Sequence, residues 1–229
     1  MNFDESLHLL VTQAIQEDVG DGDHSTLSCI PPEQFGKAVL KIKEAGILAG
    51  VAVSEKIFQQ LEPGCRFRAF KQDGTPMLPG EIAFEIEATV HTILKGERLV
   101  LNCMQRMSGI ATTTRMYTQK LEGYHTRLLD TRKTTPNFRL LEKEAVRIGG
   151  GINHRFGLYD MIMLKDNHID YCGGIDKAIQ KAHAYSLSLP HPLKIEVETR
   201  TIQDVQTVCS TGKGKVFRIM LDNFTPDQI

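Results

Sequence analysis

The sequence predicts an α/β protein, with a small α+β unit in its first half and a parallel sheet in its second. Three observations predict it. Short apolar or mixed runs at 127–130, 160–165, 193–198 and 216–222 recur roughly every 30 residues, the length of one βα unit. The stretches between them carry helical patterns, and strands alternating with helices imply a parallel sheet, open or closed into a barrel. The first half instead shows apolar–polar alternation with β-branched residues, clearest over residues 82–90.

Taken in order, residues 4–18 read as an amphipathic helix, with Leu7, Leu10, Val11, Ala14 and Ile15 on one face and Gly20 as its stop. The segment 21–26 reads as a polar turn. Asp21, Asp23 and Ser25 alternate as at the start of a calcium loop, but Pro32 stands where the bidentate glutamate is needed. Residues 38–43 and 82–90 are strands, 53–61 is a helix, and Asp73-Gly74 and Pro79-Gly80 are turns. Leu99, Cys103 and Met107, at four-residue steps, place a helix over 97–110. A domain boundary is expected there, giving domains 1–107 and 108–229. A further helix is expected over 136–148, with Thr135 as its cap, Pro136 in the first turn and Gly149 at its end. Another covers 174–186.

Length and charge bound the function. A chain of 229 residues can bury a real core, and a net charge of −1 gives no general attraction to nucleic acid or anionic membrane. No run of apolar residues is long enough for a membrane span. The N-terminal residues lack the cationic start and apolar block of a secretory signal. The cysteines at 29, 65, 103, 172 and 209 are scattered and form no C-x-x-C pair, which reads as reduced thiols in a cytoplasmic protein.

The expected strands finish in charge: Asp130-Thr131-Arg132-Lys133, then Lys165-Asp166, then Glu196-Val197-Glu198, then Asp222-Asn223. In a (β/α) barrel the active site is built at such C-terminal strand ends. Arg132, Lys133, His154, Arg155 and Lys165 would converge if these strands are neighbours. Arginine forks fit carboxylate and phosphate, and lysine adds a compact charge, so a ligand with several anionic groups is implied. Arg139 and Arg147 read as a solvated helix face. Gly149-Gly150-Gly151 either lets backbone approach a ligand or ends a helix, and no phosphate-loop or dinucleotide fingerprint is present. Glu196, Glu198 and Asp222 are the acidic counterparts. They could bind sugar hydroxyls, hold Mg²⁺ through water, stabilise a developing cation, or pair with Lys165 or Arg155.

These residues resemble a known family. The motifs are Glu17-Asp18, Gly20, Gly22-Asp23 and Ser25-Thr26; Gly96-Glu97-Arg98 with Leu101-Asn102; Ser108-Gly109-Ile110-Ala111-Thr112; Asp130-Thr131-Arg132-Lys133-Thr134-Thr135-Pro136; Gly149-Gly150-Gly151 with Asn153-His154-Arg155 and Gly157-Leu158; and Lys165-Asp166-Asn167-His168. Together they closely resemble the quinolinate phosphoribosyltransferases. The resemblance implies an N-terminal α/β sandwich domain and an incomplete (β/α) barrel. It implies a Mg²⁺-assisted reaction of quinolinate with phosphoribosyl pyrophosphate that yields nicotinate mononucleotide, CO₂ and pyrophosphate. It also implies a homodimer, open to further assembly, in which Arg98 reaches the partner's pocket.

By motif, Lys133, Lys165, Glu198 and Asp222 are implied as catalytic. Arg132, Arg155 and Lys165 would hold carboxylates or phosphates, and Thr131, Lys133 and His154 would line the pocket. Glu198 and Asp222 would meet the ribose hydroxyls and the metal. Glu196 points to the same side of its strand as Glu198 and stays an alternative. The family pattern continues for two further strands, whereas this sequence stops at Ile229, so a barrel truncated at its C-terminal end is expected. Two other readings remain open: a related phosphoribosyltransferase acting on another anionic base, and a non-catalytic quinolinate-binding form.

Overall fold

Residues 2–229 are described by the computed structural model, and they divide between His154 and Arg155 into two units. The first unit starts with α1 (Phe3–Val19), where Asn2 Oδ1 accepts from the Glu5 amide at 2.9 Å and Glu5 returns the favour to the Asn2 amide. Gly20, at φ 56°, ends the helix as expected. The expected polar turn at 21–26 is instead the entry to a short helix, α2 (His24–Cys29), capped by the Asp23 carboxylate on Thr26.

Three antiparallel strands follow in the order β1-β5-β3: β1 (Phe35–Lys41), β3 (Arg66–Ala69) and β5 (Ile82–Thr89). A small pair joins β2 (Gly46–Ile47) to β4 (Pro76–Met77). Helix α3 (Val51–Leu61) buries Val53, Ile57 and Phe58. Its first amides donate to Asp73, at 2.8 Å from Val51 and 3.3 Å from Ala52. Burial pushes the Asp73 carboxyl up, against the pull of those amides. Asp73-Gly74 is thus both a turn and a remote helix cap.

The helix expected at 97–110 is the middle of α4 (Val90–Lys120), which runs 31 residues and passes unbroken through residue 107. Gly96 lets it approach α3, since a Cβ there would sit 2.8 Å from the Phe58 ring. Helix α5 (Arg139–Ile148) begins three residues later than the sequence suggests. Asn137 adopts φ 61°, so Pro136 lies in a turn and Thr135 does not cap the helix. The strand expected at 127–130 shrinks to a single parallel bridge, Leu129 to Ile152. One apolar core joins α1, α3, α4, α5 and the antiparallel sheet through Val11, Ile57, Ile86, Met107 and Leu141.

The second unit is a three-stranded parallel sheet, β6-β7-β8, made of β6 (Ile162–Leu164), β7 (Ile195–Thr199) and β8 (Arg218–Leu221). Helices α6 (Asp166–Cys172) and α7 (Ile175–Ser188) connect the first two strands, and α8 (Ile202–Thr211) connects the next two. This is the strand–helix alternation of part of a (β/α) barrel. The sequence did not announce α6, whose seven residues are too few to show a period. Ile195 and Val197 pack with Ile179 and Val208 in the core, so alternation sends Glu196 and Glu198 to the opposite face.

Candidate active site

In the first unit the site is a loop, residues 130–135, laid across the start of α5. Its first residue, Asp130, is nearly buried and takes the equally buried Lys143 ammonium at 2.5 Å. The Asp130 carboxylate also accepts from the His154 amide at 2.7 Å, and Lys143 donates to the His154 carbonyl at 3.1 Å. The Asn153 carboxamide, oriented by the same neighbours, donates to Asp130 and to the Lys143 carbonyl. Removing either charge of such a buried pair would cost about 3–5 kcal/mol, because the other is left uncompensated.

The loop's last residue, Thr135, is held by Glu142. That carboxylate accepts from the Thr135 amide at 3.1 Å and its hydroxyl at 2.8 Å. Arg106 of α4 grips the same carboxylate through Nε at 2.9 Å and a terminal nitrogen at 2.7 Å. Burial alone would push the Glu142 carboxyl up, but the bonds from Arg106 and Thr135 outweigh it and hold it below the usual range. Arg139 is half-buried and donates to Thr134 Oγ1 at 3.0 Å, so it braces the loop and does not form a solvated face. Arg147 does lie on an exposed face, paired with Glu144.

Between these anchors stand Thr131, Arg132 and Lys133. The Thr131 hydroxyl accepts from the Lys133 amide at 3.1 Å and tightens the turn. The Arg132 Nε is buried and finds no hydrogen-bond acceptor among the described residues. Lys133 is exposed and its ammonium has no partner among them either. Lys143 and Arg106 are neutralised by Asp130 and Glu142, so the loop's net positive charge is concentrated on Arg132 and Lys133, with His154 tied to its base. Arg98 is exposed on α4 and without a partner in its own chain among the described residues.

Gly149 and Gly151 serve close packing, and Gly150 takes a left-handed backbone at φ 95°. Gly149 ends α5, and its carbonyl accepts from Arg115 Nε at 3.1 Å and the Thr118 hydroxyl at 3.3 Å, both on α4.

In the second unit the functional candidates sit at strand ends. Lys165 follows β6, and its ammonium lies 3.6 Å from Glu198 near the end of β7. The Lys165 amide donates to His168 Nδ1 at 3.0 Å, which fixes the entry to α6. Asp222 follows β8 and is tied to β7 by its amide, 2.9 Å from the Thr199 carbonyl. Glu196, in mid-strand and fully buried, meets Arg218 at 3.0 Å. Arg155 is buried and donates to the Met161 carbonyl at 3.1 Å. Among the described residues no group of three or more His, Cys, Asp or Glu side chains gathers as a metal cage. Glu198 and Asp222, on neighbouring strand ends, instead suit Mg²⁺, which is usually held by one or two carboxylates together with substrate phosphates.

Sequence reasoning missed Lys143, Glu142 and Arg106. Charged residues within a helix ordinarily read as a solvated face, and only the contact with a loop or a second helix reveals them as buried.

Two family models match the chain: quinolinate phosphoribosyl transferase, N-terminal domain, over residues 23–108, and C-terminal domain, over residues 110–229. The chain is 42% identical to a Synechocystis protein named probable nicotinate-nucleotide pyrophosphorylase (carboxylating), across 94% of this chain and 70% of that one. It is 42% identical to quinolinate phosphoribosyltransferase (decarboxylating) 1b of Nicotiana tabacum, across 93% of this chain and 62% of that one. It thus spans less than two thirds of the tobacco protein. The crystal structure of NadC from Streptococcus pyogenes superposes with a TM-score of 0.86 at 40% identity, covering 95% of this chain and 75% of that one.

Proposed function

The chain belongs to the quinolinate phosphoribosyltransferase family, and from that premise we propose its reaction. It transfers the phosphoribosyl group of phosphoribosyl pyrophosphate to quinolinate with decarboxylation. The products are nicotinate mononucleotide, CO₂ and pyrophosphate, on a route to NAD. The observation that carries this reading is the loop with Arg132 and Lys133 unneutralised beside two internally satisfied ion pairs. A dicarboxylate supplies the acceptors that the fork and the ammonium lack.

The pyridine nitrogen attacks the anomeric carbon and pyrophosphate departs with the bonding pair. The ring nitrogen is then positive, so it stabilises the electron pair left on the adjacent ring carbon when the carboxylate leaves as CO₂, and a proton from water then takes the place of the CO₂ on that carbon. Arg132, Lys133, Thr131 and His154 orient the carboxylates. Arg155 and Lys165 meet anionic groups, and Glu198 and Asp222 accept from ribose hydroxyls and favour positive charge at the anomeric carbon. Catalysis is positioning and preset charge, with no covalent enzyme intermediate. Mg²⁺, held by Glu198 and Asp222 through water, would supply charge neutralisation on the pyrophosphate. Arg98 serves a partner's site in a homodimer, a role supported by its exposure and its lack of a partner in its own chain. The reading places the protein in the cytoplasm, on the strength of five cysteines without a disulfide. No helix is long and apolar enough to cross a membrane among the described residues.

The test is product formation by the 229-residue chain with quinolinate, phosphoribosyl pyrophosphate and Mg²⁺. Nicotinate mononucleotide and CO₂ in equal amounts support the reaction. Turnover of nicotinate in place of quinolinate would point to another acceptor. Saturable quinolinate binding without turnover would leave a binding protein. Arg132→Ala should weaken quinolinate binding by about 1.5–3 kcal/mol, the usual worth of a hydrogen bond to a charged group.

A further inference from the structure

We infer that Glu142 and Lys143 are positioning residues that clamp the two ends of the 130–135 loop to one helix. Lys143 holds the first loop residue through Asp130, and Glu142 holds the last through Thr135. The two are consecutive on α5, and both are buried, at 5% and 2% exposure. Neither touches Arg132 or Lys133, so each acts by fixing the backbone from which those cations project.

The same clamp reaches the other arm of the site. Asp130 accepts from the His154 amide while Lys143 donates to the His154 carbonyl, so a single ion pair grips both sides of residue 154. Arg106 fixes Glu142 from α4, so the clamp is referenced to the longest helix in the unit. Arg139 fills the middle by donating to Thr134. At 131–133 the lattice reaches only the backbone, where the Arg132 carbonyl accepts from Arg139 at 3.4 Å, and the side chains of Arg132 and Lys133 are left to meet a ligand. A helix that holds both loop ends through adjacent side chains converts its own rigidity into a set distance between Arg132 and His154. Ion pairs serving stability alone would not need to bracket the free cations this way. The inference rests on the reaction proposed above for its kinetic arm, and on geometry alone for its exchange arm.

The experiment compares Lys143→Met, Lys143→Arg, Glu142→Gln, Thr135→Ala and Glu144→Gln with the unaltered chain. Quinolinate affinity, KM and kcat are read alongside hydrogen exchange at residues 131–135 and 153–154. We expect Lys143→Met and Glu142→Gln to weaken quinolinate binding roughly tenfold or more, since small misplacements of binding groups are costly. Loop amides should exchange faster while the β1-β5-β3 sheet stays protected. Lys143→Arg should recover much of the loss. Glu144→Gln, on the same helix but paired with Arg147 instead of the loop, should match the unaltered chain. Thr135→Ala removes only one hydroxyl and keeps the test open if Lys143→Met does not fold; it should raise KM with little change in kcat. Folded variants with unaltered quinolinate affinity and unaltered loop exchange would overturn the inference. If the unaltered chain binds no quinolinate, the proposed function fails. The exchange readout alone then decides the clamp: faster loop exchange in the variants upholds it, and unaltered exchange overturns it.

Discussion

Replacing Gly149 with alanine tests the packing that carries the clamp. The residue sits at φ −71° and ψ −7°, a conformation alanine adopts freely. On backbone grounds alone the change should stabilise the protein by about 0.4–1 kcal/mol, because it restricts the unfolded chain. The surroundings reverse that sign. A Cβ at 149 would lie 2.6 Å from the Ala111 carbonyl oxygen and 2.6 Å from Thr114 Cβ. Neither atom can rotate away, since one is backbone and the other is fixed to it. Helix α5 must therefore back off α4, which lengthens the bonds from Arg115 and Thr118 to the Gly149 carbonyl. Overpacking of this kind costs roughly 1–3 kcal/mol. For a chain of this size 1 kcal/mol corresponds to about 2–4 °C, so Tm should fall by roughly 2–12 °C. The assay is thermal unfolding followed by circular dichroism, with urea titration as a check that the slope is unchanged. Quinolinate KM should rise too, because α5 bears Glu142 and Lys143. An alanine variant at 149 with Tm equal to or above that of the unaltered chain would refute the reasoning, for it would show that α4 and α5 do not approach this closely.

Glu142 predicts an acid limb. Its folded carboxyl lies below the ordinary value, so near pH 4 the unfolded chain binds more protons than the folded one. The stability it contributes is present above that ordinary value and is lost as pH falls through the folded value. The difference in urea midpoint between the unaltered chain and Glu142→Gln should be full at pH 6 and shrink below about pH 4.3; a difference independent of pH would count against the assignment. Cys103 is buried and its thiol is pushed up to about 11 by burial, so iodoacetamide at pH 8 should modify the exposed Cys29 and Cys209 and spare Cys103 until urea unfolds the chain. Early labelling of Cys103 would show that the core around α4 opens readily.

Much of the architecture was legible along the chain. Alternation marked β5, the spacing of Leu7, Val11 and Ala14 marked α1, and the repeat of apolar runs marked the parallel sheet. Ordered motifs identified the family, and the charged ends of β6 and β7 pointed to Lys165 and Glu198, which the fold brings within 3.6 Å. Where local reading failed, the reason was local as well as distant. Asn137 took a left-handed backbone that delayed α5, and the strand at 127–130 had one residue, Ile152, to pair with.

Which cations are available was decided by the tertiary structure alone. Arg106 meets its carboxylate 36 residues along the chain and Lys143 meets its own 13 residues back. A sequence displays every arginine and lysine with equal charge. Neutralisation requires a partner within a few ångströms and removal from water, and both conditions depend on how α4, α5 and the loop pack. The residues of the proposed anion site were therefore present in the motif, but the distinction between the cations that are neutralised within the chain and those that are not arises only on folding.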